Sequence, residues 1–155
     1  MNLHAVAELA RTLMNQHGFY NVIFEFSNRR RALGTCHIRN GRPWKITLSK
    51  HWTPRMDEPE VRDVILHEIA HAYEPLDGHG YAWKAACRRI GAKPDRVAKL
   101  EKKFIKENIG DIAKYKATCV KCGNEAFFYR LTRLWRIGGY VCSKCRGKFT
   151  IEQLR

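Results

Sequence analysis

The residues His67-Glu68-Ile69-Ala70-His71 form an HExxH pattern, which can bind a divalent metal ion and use it for hydrolysis. Residues four positions apart lie on one face of a helix, so both imidazoles can reach the same ion. Glu68 follows the first histidine directly and can accept a proton from the water that the metal binds. A helical wheel places Glu68 on the apolar side with Val64 and Ile65, where a carboxylate is costly unless it has a partner or a function. The pattern predicts a zinc site with Glu68 as general base.

A catalytic zinc site has three protein ligands and one open position, so a third ligand must join His67 and His71. We expect this ligand to be His79, because Pro75 ends the helix and glycines on both sides of His79 allow a tight return toward the metal. Glu74 is the alternative, since it lies at helical spacing from His71 on the same face.

Two CxxC pairs in the last third of the chain predict a second metal site. Nineteen residues separate the pair Cys119 and Cys122 from the pair Cys142 and Cys145, a spacing typical of zinc sites. Four thiolates leave no open position, so this zinc would be structural and would stabilise a segment too short to bury a sufficient core. We therefore expect two zinc ions, one catalytic and one structural.

Arginines alternate with aromatic residues between the two cysteine pairs. This combination suits phosphate contacts and base stacking, although any single aromatic side chain could instead belong to the small core of the segment. The predicted DNA contacts are Arg130, Arg133, Trp135, Arg136 and Tyr140.

The formal net charge of +14 lies almost entirely in the second half of the chain. Residues 1–80 contain 10 Lys/Arg and 9 Asp/Glu, whereas residues 81–155 contain 19 Lys/Arg and 6 Asp/Glu. Solubility alone does not require such segregation, which favours a polyanionic partner, DNA above all, for the second half.

The sequence shows neither the apolar run of about 18 residues that a membrane span needs nor a secretory signal at its N-terminus. We expect a monomer that has no membrane partner and is not secreted. Its expected location is the cytoplasm and nucleoid or the nucleus, where its thiols stay reduced.

Apolar periodicity predicts a helix over residues 2–17 followed by a three-stranded antiparallel meander. The strands are expected over residues 19–27, 32–39 and 44–49. Asn40-Gly41 forms the turn between the last two strands.

The helix that carries the HExxH pattern begins near Asp57, where Glu60 completes a capping box, and ends at Pro75. Two further helices are predicted over residues 80–90 and 94–108. Beyond them the chain changes to short strands between the cysteine pairs. We therefore expect an α+β domain over residues 1–112 and a second, DNA-binding unit over residues 113–155.

Together, HEIAHAY at residues 67–73, the segment Gly78-His79-Gly80 with Trp83 three positions later, and the terminal cysteine pairs resemble the SprT-like zinc metalloprotease family, which includes the Spartan-like DNA–protein crosslink proteases. The resemblance covers essentially the whole chain. It implies a zincin-like metalloprotease domain followed by a zinc ribbon, with zinc held by His67, His71 and His79 and Glu68 as general base. It also implies DNA-stimulated proteolysis of DNA-bound or crosslinked proteins.

These features favour a zinc endopeptidase that acts on proteins bound to single-stranded or junction-containing DNA. An extended substrate would add to the edge of the sheet beside the zinc, and we take the strand Trp44–Ser49 as this edge. The alternatives are a zinc-dependent nuclease, since three histidines and a basic surface also suit phosphodiester hydrolysis, and a non-enzymatic nucleic-acid-binding zinc protein.

Overall fold

The computed structural model describes residues 1–94 and 96–155, and it divides into two compact units, Met1–Phe104 and Ile105–Arg155. The sequence places this division later, after residue 112. In the structure, Gly110 and Ala113 are tied to the C-terminus of the second unit, since the Arg155 guanidinium donates hydrogen bonds to their carbonyls.

The first unit begins with helix α1, Leu3–Gln16, whose apolar face is buried. The Asn2 side chain caps it by accepting a hydrogen bond from the Ala5 amide at 2.8 Å. Gly18 follows the helix with a φ of +80°, which glycine adopts without steric cost.

The sheet of the first unit contains β1 Ile23–Ser27, β2 Gly34–Arg39 and β3 Arg42–Ser49, and its order is β1-β3-β2. The predicted meander is wrong, because β1 pairs in parallel with β3 and only β2 and β3 form an antiparallel hairpin. The hairpin turn is as predicted, with Asn40 and Gly41 both at positive φ. The predicted edge strand Trp44–Ser49 is also wrong, since β3 is the central strand and its Ile46 and Leu48 are fully buried.

Helix α2, Glu58–Tyr73, positions the HExxH residues, and its N-terminus has the predicted capping box between Asp57 and Glu60. Its buried side chains surround it almost completely in the catalytic part, from Val64 to Ala70. A helix enclosed in this way holds its functional side chains in fixed directions.

Two more helices follow, α3 Tyr81–Arg89 and α4 Arg96–Glu107, and the first unit ends within α4 at Phe104. Both lie within the predicted ranges 80–90 and 94–108, of which residue 95 is outside the described residues. Helix α4 buries Val97, Leu100 and Phe104.

The second unit is a three-stranded antiparallel sheet with two short helices. The elements are α5 Ile109–Ile112, β4 Tyr115–Cys119, β5 Glu125–Phe128, α6 Arg133–Arg136 and β6 Phe149–Gln153. The strand order is β5-β4-β6. Of the short strands expected between the cysteine pairs, β5 lies there, whereas β4 ends at Cys119 and β6 follows Cys145. The segment between the pairs also contains the helical turn α6, which the sequence does not predict.

Candidate metal centre

Three imidazoles meet at one point beside the C-terminal half of α2. The Nε2 atoms of His67, His71 and His79 lie 3.3, 3.2 and 3.2 Å apart, a nearly equilateral triangle. Glu74 is not part of this group, because it caps the end of α2 and lines a different cavity with Leu76 and Asp77. The geometry therefore favours His79 over Glu74 as the third nitrogen or oxygen donor.

The spacing of the three nitrogens fits a zinc ion. Zinc–nitrogen bonds of about 2.0–2.1 Å at tetrahedral angles place nitrogen ligands about 3.3–3.4 Å apart. In a neutral imidazole, Nε2 is either a donor or an acceptor of hydrogen bonds. In a triangle of three Nε2 atoms at least two have the same role, so the three contacts cannot all be hydrogen bonds. A shared cation resolves this arrangement.

The two histidines of α2 are held in the neutral form that binds metal. Burial, reinforced by the neighbouring imidazoles, lowers the pKa of His67 to about 3 and that of His71 to about 4. Protons therefore compete weakly with a metal ion for these two rings near neutral pH.

A buried tryptophan orients the three rings. Trp83 is 1% exposed, and its ring centroid lies 4.9, 5.1 and 4.5 Å from those of His67, His71 and His79. Among the described residues, nothing accepts a hydrogen bond from the buried Nδ1 of His67. Packing on Trp83 thus takes the orienting role that a hydrogen bond often has at metal-binding histidines.

The loop that carries His79 is fixed by Asp77. Its carboxylate accepts a hydrogen bond from the Trp83 amide at 2.8 Å, within the first turn of α3. A side-chain carbon at Gly80 would lie 2.5 Å from the Asp77 carboxylate, so any larger residue at position 80 would displace this carboxylate. One carboxylate therefore fixes both the start of α3 and the direction of the loop.

Glu68 lies beside the three histidines and points toward strand β2. It accepts a hydrogen bond from the Cys36 amide, and burial raises its pKa to about 8. A side-chain carbon at Gly34 would lie 2.7 Å from Glu68 Oε1. Strand β2 can approach this carboxyl closely because residue 34 has no side chain.

The histidines and Glu68 open into a cavity of about 410 Å³. Strand β2 forms one wall, with Gly34, Thr35, Cys36 and Ile38, and α4 forms another. Glu101 of α4 also lines the cavity and accepts a hydrogen bond from the Leu33 amide at 3.0 Å. Burial raises the pKa of Glu101 above its usual range. The cavity thus contains a second carboxyl group besides Glu68.

The four cysteines of the two CxxC motifs lie close together in the second unit. Contacts between their sulfur atoms are 3.4 Å for Cys119 and Cys145, 3.6 Å for Cys122 and Cys142, and 3.2 Å for Cys145 and Cys122. These separations are far longer than a disulfide bond and approach the roughly 3.8 Å of a tetrahedral Zn–S₄ site. The cluster can form a zinc ribbon.

The predicted DNA-contact residues fall into two groups. Trp135 stacks on Phe128 with ring centroids 4.6 Å apart and also contacts Tyr140 and Phe149, so its ring belongs to the aromatic core of the second unit. Arg130, Arg133 and Arg136 are exposed, as is Tyr140 with 38% of its surface. The cations remain available for phosphate contacts, while the indole serves the packing.

The SprT-like family model matches residues 3–103. This match covers most of the chain. The chain belongs to the SprT-like family. A relative named Protein SprT-like from Oceanobacillus iheyensis is 26% identical over 147 residues, which cover 92% of this chain and 89% of the relative. The Bacillus cereus protein of the same name is 28% identical over 123 residues, 79% of this chain and 77% of the relative.

Two solved structures have a similar fold. They are the metallopeptidase zymogens abylysin of Pyrococcus abyssi, with 15% identity, and jannalysin of Methanocaldococcus jannaschii, with 14%. Each gives a TM-score of 0.51 over 67% of this chain, covering 95% and 96% of those chains. The fold is therefore α+β and zincin-like, as expected. Family and fold together support a metalloprotease-type function.

Sequence reasoning missed several residues of this centre. Gly34 and Glu101 contact Glu68 and Leu33, which are distant from them in sequence, so no local pattern indicates their roles. Asp77 acts over a short distance in sequence, on the amide of Trp83. Trp83 was noted only as part of the family resemblance, and its packing on all three imidazoles is visible only in the structure.

Proposed function

We propose that the chain is a zinc-dependent endopeptidase whose substrates are proteins bound or crosslinked to DNA. The observation that supports the hydrolytic function is the triangle of three Nε2 atoms with a buried carboxyl beside it, opening into a cavity. His67, His71 and His79 would hold the zinc ion. When bound, zinc would supply a Lewis acid that polarises the scissile carbonyl and acidifies water.

Glu68 is the proposed general base and acid. In its ionised form this carboxyl can take a proton from the attacking water and then return it to the leaving amine. A pKa raised to about 8 keeps its two protonation states close in free energy near neutral pH. The Cys36 amide holds the carboxylate in place through a hydrogen bond, and Gly34 leaves room for it. Removing the carboxylate should therefore abolish hydrolysis without disturbing the metal ligands.

The edge of strand β2 is the proposed binding surface for an extended substrate. β2 lies at the edge of the sheet and lines the cavity with Gly34, Thr35, Cys36 and Ile38. Pairing through backbone groups reads little of the substrate's sequence, which suits an enzyme that must cut many proteins. Broad sequence specificity follows from this arrangement.

DNA would direct the protease to its substrates through the basic second half of the chain. Residues 81–155 contain 19 Lys/Arg and 6 Asp/Glu, and Arg130, Arg133 and Arg136 are exposed in the second unit. Binding enzyme and substrate to the same strand raises their local concentration. We propose DNA-stimulated activity with a structural zinc in the ribbon, in a compartment that keeps thiols reduced. No helix within the described residues could span a membrane.

The test is cleavage of a DNA-binding protein with and without single-stranded DNA, over a range of salt concentrations. We expect cleavage that requires DNA and falls as salt rises, because phosphate contacts release counterions. Glu68→Gln should abolish it, whereas the matched variant Glu74→Gln, at the end of the same helix but outside the metal cluster, should retain it.

Equal cleavage without DNA and at high salt would contradict the coupling to DNA. Cleavage of the DNA backbone instead of the protein, lost in Glu68→Gln, would show a nuclease.

A further inference from the structure

The first half of the chain contains a strongly basic segment, although the net charge of this half is close to zero. Residues 26–56 include eight Lys/Arg and no Asp/Glu, although residues 1–80 as a whole carry a net charge of +1. The compensating acidic residues lie mainly between residues 57 and 77, on α2 and the loop after it. The first unit, Met1–Phe104, is here called the catalytic unit, and it thus has its own basic region.

Part of this region is a rigid loop between β1 and β2, residues 28–33, here called the basic loop. The carbonyl of Arg29 accepts a hydrogen bond from the Ser49 hydroxyl, and the carbonyl of Arg30 accepts one from the indole of the fully buried Trp52 at 2.9 Å. The Ser49 amide also donates to the Leu33 carbonyl at 2.8 Å. A loop fixed at these points presents its arginines with little further loss of entropy when they bind a ligand.

The basic loop forms one side of a cavity of about 360 Å³, here called the basic cavity. It is separate from the cavity that contains Glu68, here called the catalytic cavity. The lining of the basic cavity consists of Leu3, Asn28, Arg30, Lys50 and His51. Arg29, Arg30 and Lys50 are all exposed. Guanidinium, ammonium and amide groups around a concave surface are the donors that recognise phosphate oxygens.

The same loop reaches the catalytic cavity. Arg31 and Ala32 line the cavity that contains Glu68, whereas Arg30, the preceding residue, lines the basic cavity. A ligand held at the basic cavity would therefore contact the residue next to the lining of the catalytic cavity, within the same unit.

We propose that the basic cavity and the arginines around it bind the phosphate backbone of single-stranded DNA on the catalytic unit itself. For its effect on proteolysis this inference rests on the DNA-directed function proposed above. A DNA strand at this position would bring a protein attached to it to the catalytic cavity. Among the described lining residues of the cavity, Leu3 is the one large apolar side chain, which favours a nucleic acid over an anionic membrane that needs an apolar anchor.

The experiment measures binding of a fluorescent oligothymidylate to the full-length protein by anisotropy, over a series of salt concentrations. The test variant is Arg29→Ala/Arg30→Ala/Lys50→Ala. The matched control, Arg39→Ala/Arg42→Ala/Arg62→Ala, removes the same charge from exposed positions outside the basic cavity. A plot of log affinity against log salt concentration has a negative slope, to which each phosphate contact with a single strand contributes about 0.7. The loss of three cations should therefore make the slope of the test variant shallower by about 2. The control should retain the wild-type slope.

Equal slopes in the test and control variants would overturn the proposal, and so would a test variant that loses binding to phosphatidylserine vesicles while it binds DNA normally. If the helical circular dichroism shows that the triple variant is unfolded, Lys50→Ala alone should make the slope shallower by about 0.7. Hydrolysis of a DNA-binding protein by the wild type, at low salt and with single-stranded DNA present, tests the protease function separately. Its absence would contradict that function and leave the salt slope as the test of the DNA site.

Discussion

Replacing Glu68 by glutamine should make the stability of the protein less sensitive to pH. Burial raises the pKa of this carboxyl from 4.5 to about 8, so the folded state favours the protonated form. Between these two values the unfolded chain binds fewer protons than the folded one, and the free energy of unfolding falls by about 1.4 kcal/mol for each pH unit that the solution is raised. Glutamine has no proton to lose at this position and escapes the penalty.

The magnitude follows from the same shift. In metal-free protein we expect Glu68→Gln to gain roughly 3 kcal/mol relative to wild type when the pH is raised from 5 to 7.5. The assay is urea unfolding followed by circular dichroism at 222 nm. The titration of His67 and His71 is common to both proteins and cancels in the comparison. Glu8→Gln, an exposed position on α1, controls for the loss of one negative charge.

An advantage that stays constant between pH 5 and pH 7.5 would refute this reasoning. It would mean that water reaches the carboxyl in the folded protein and that Glu68 is not poised by burial.

Three further variants test how the site is positioned. His79→Ala should reduce the zinc content from two ions to one per chain, and without metal it should melt close to metal-free wild type, because the side chain is exposed; two retained ions would show that His79 is not a ligand. Gly34→Ala should keep both metals but lower kcat roughly 100-fold, since the added carbon displaces the Glu68 carboxylate. Gly110→Ala, which meets no atom within 4 Å, is its control, and equal rates in the two variants would contradict the close approach of β2. Asp77→Ala should lower stability by about 1 kcal/mol and weaken zinc binding, because it removes a helix cap, whereas Asp77→Asn should restore both; failure of the asparagine to rescue would argue against the cap.

Much of the fold could be predicted from local signals. Asp57 with Glu60 begins α2, Asn40-Gly41 makes the hairpin turn, and the HExxH spacing brings His67 and His71 to one face. Each of these depends on residues within a few positions of one another, where backbone preference and side-chain hydrogen bonds decide the conformation.

The pairing of the strands could not be predicted in this way. β1 and β3 are separated in sequence by β2. Their parallel pairing places β3 in the centre of the sheet, where Ile46 and Leu48 are buried. The alternation of apolar residues does not tell a meander from this order. Consequently the sequence predicts β3 as the edge strand beside the metal site, whereas the structure places β2 there.

The distribution of charge in the folded protein could be predicted only in part from the sequence. Counting by halves assigns the basic character to residues 81–155, because the acidic residues around α2 offset the arginines of the basic loop. The cavity lined by Arg30 and Lys50 is visible only in the structure.

The most direct test of the central claim is a metal count combined with a peptide-bond hydrolysis assay on wild type and Glu68→Gln. If His67, His71 and His79 hold a zinc ion beside a catalytic carboxylate, both proteins contain two zinc ions per chain and only the wild type cleaves. Cleavage by Glu68→Gln at the wild-type rate, or a wild type that contains only the zinc of the cysteine cluster and still cleaves, would contradict it.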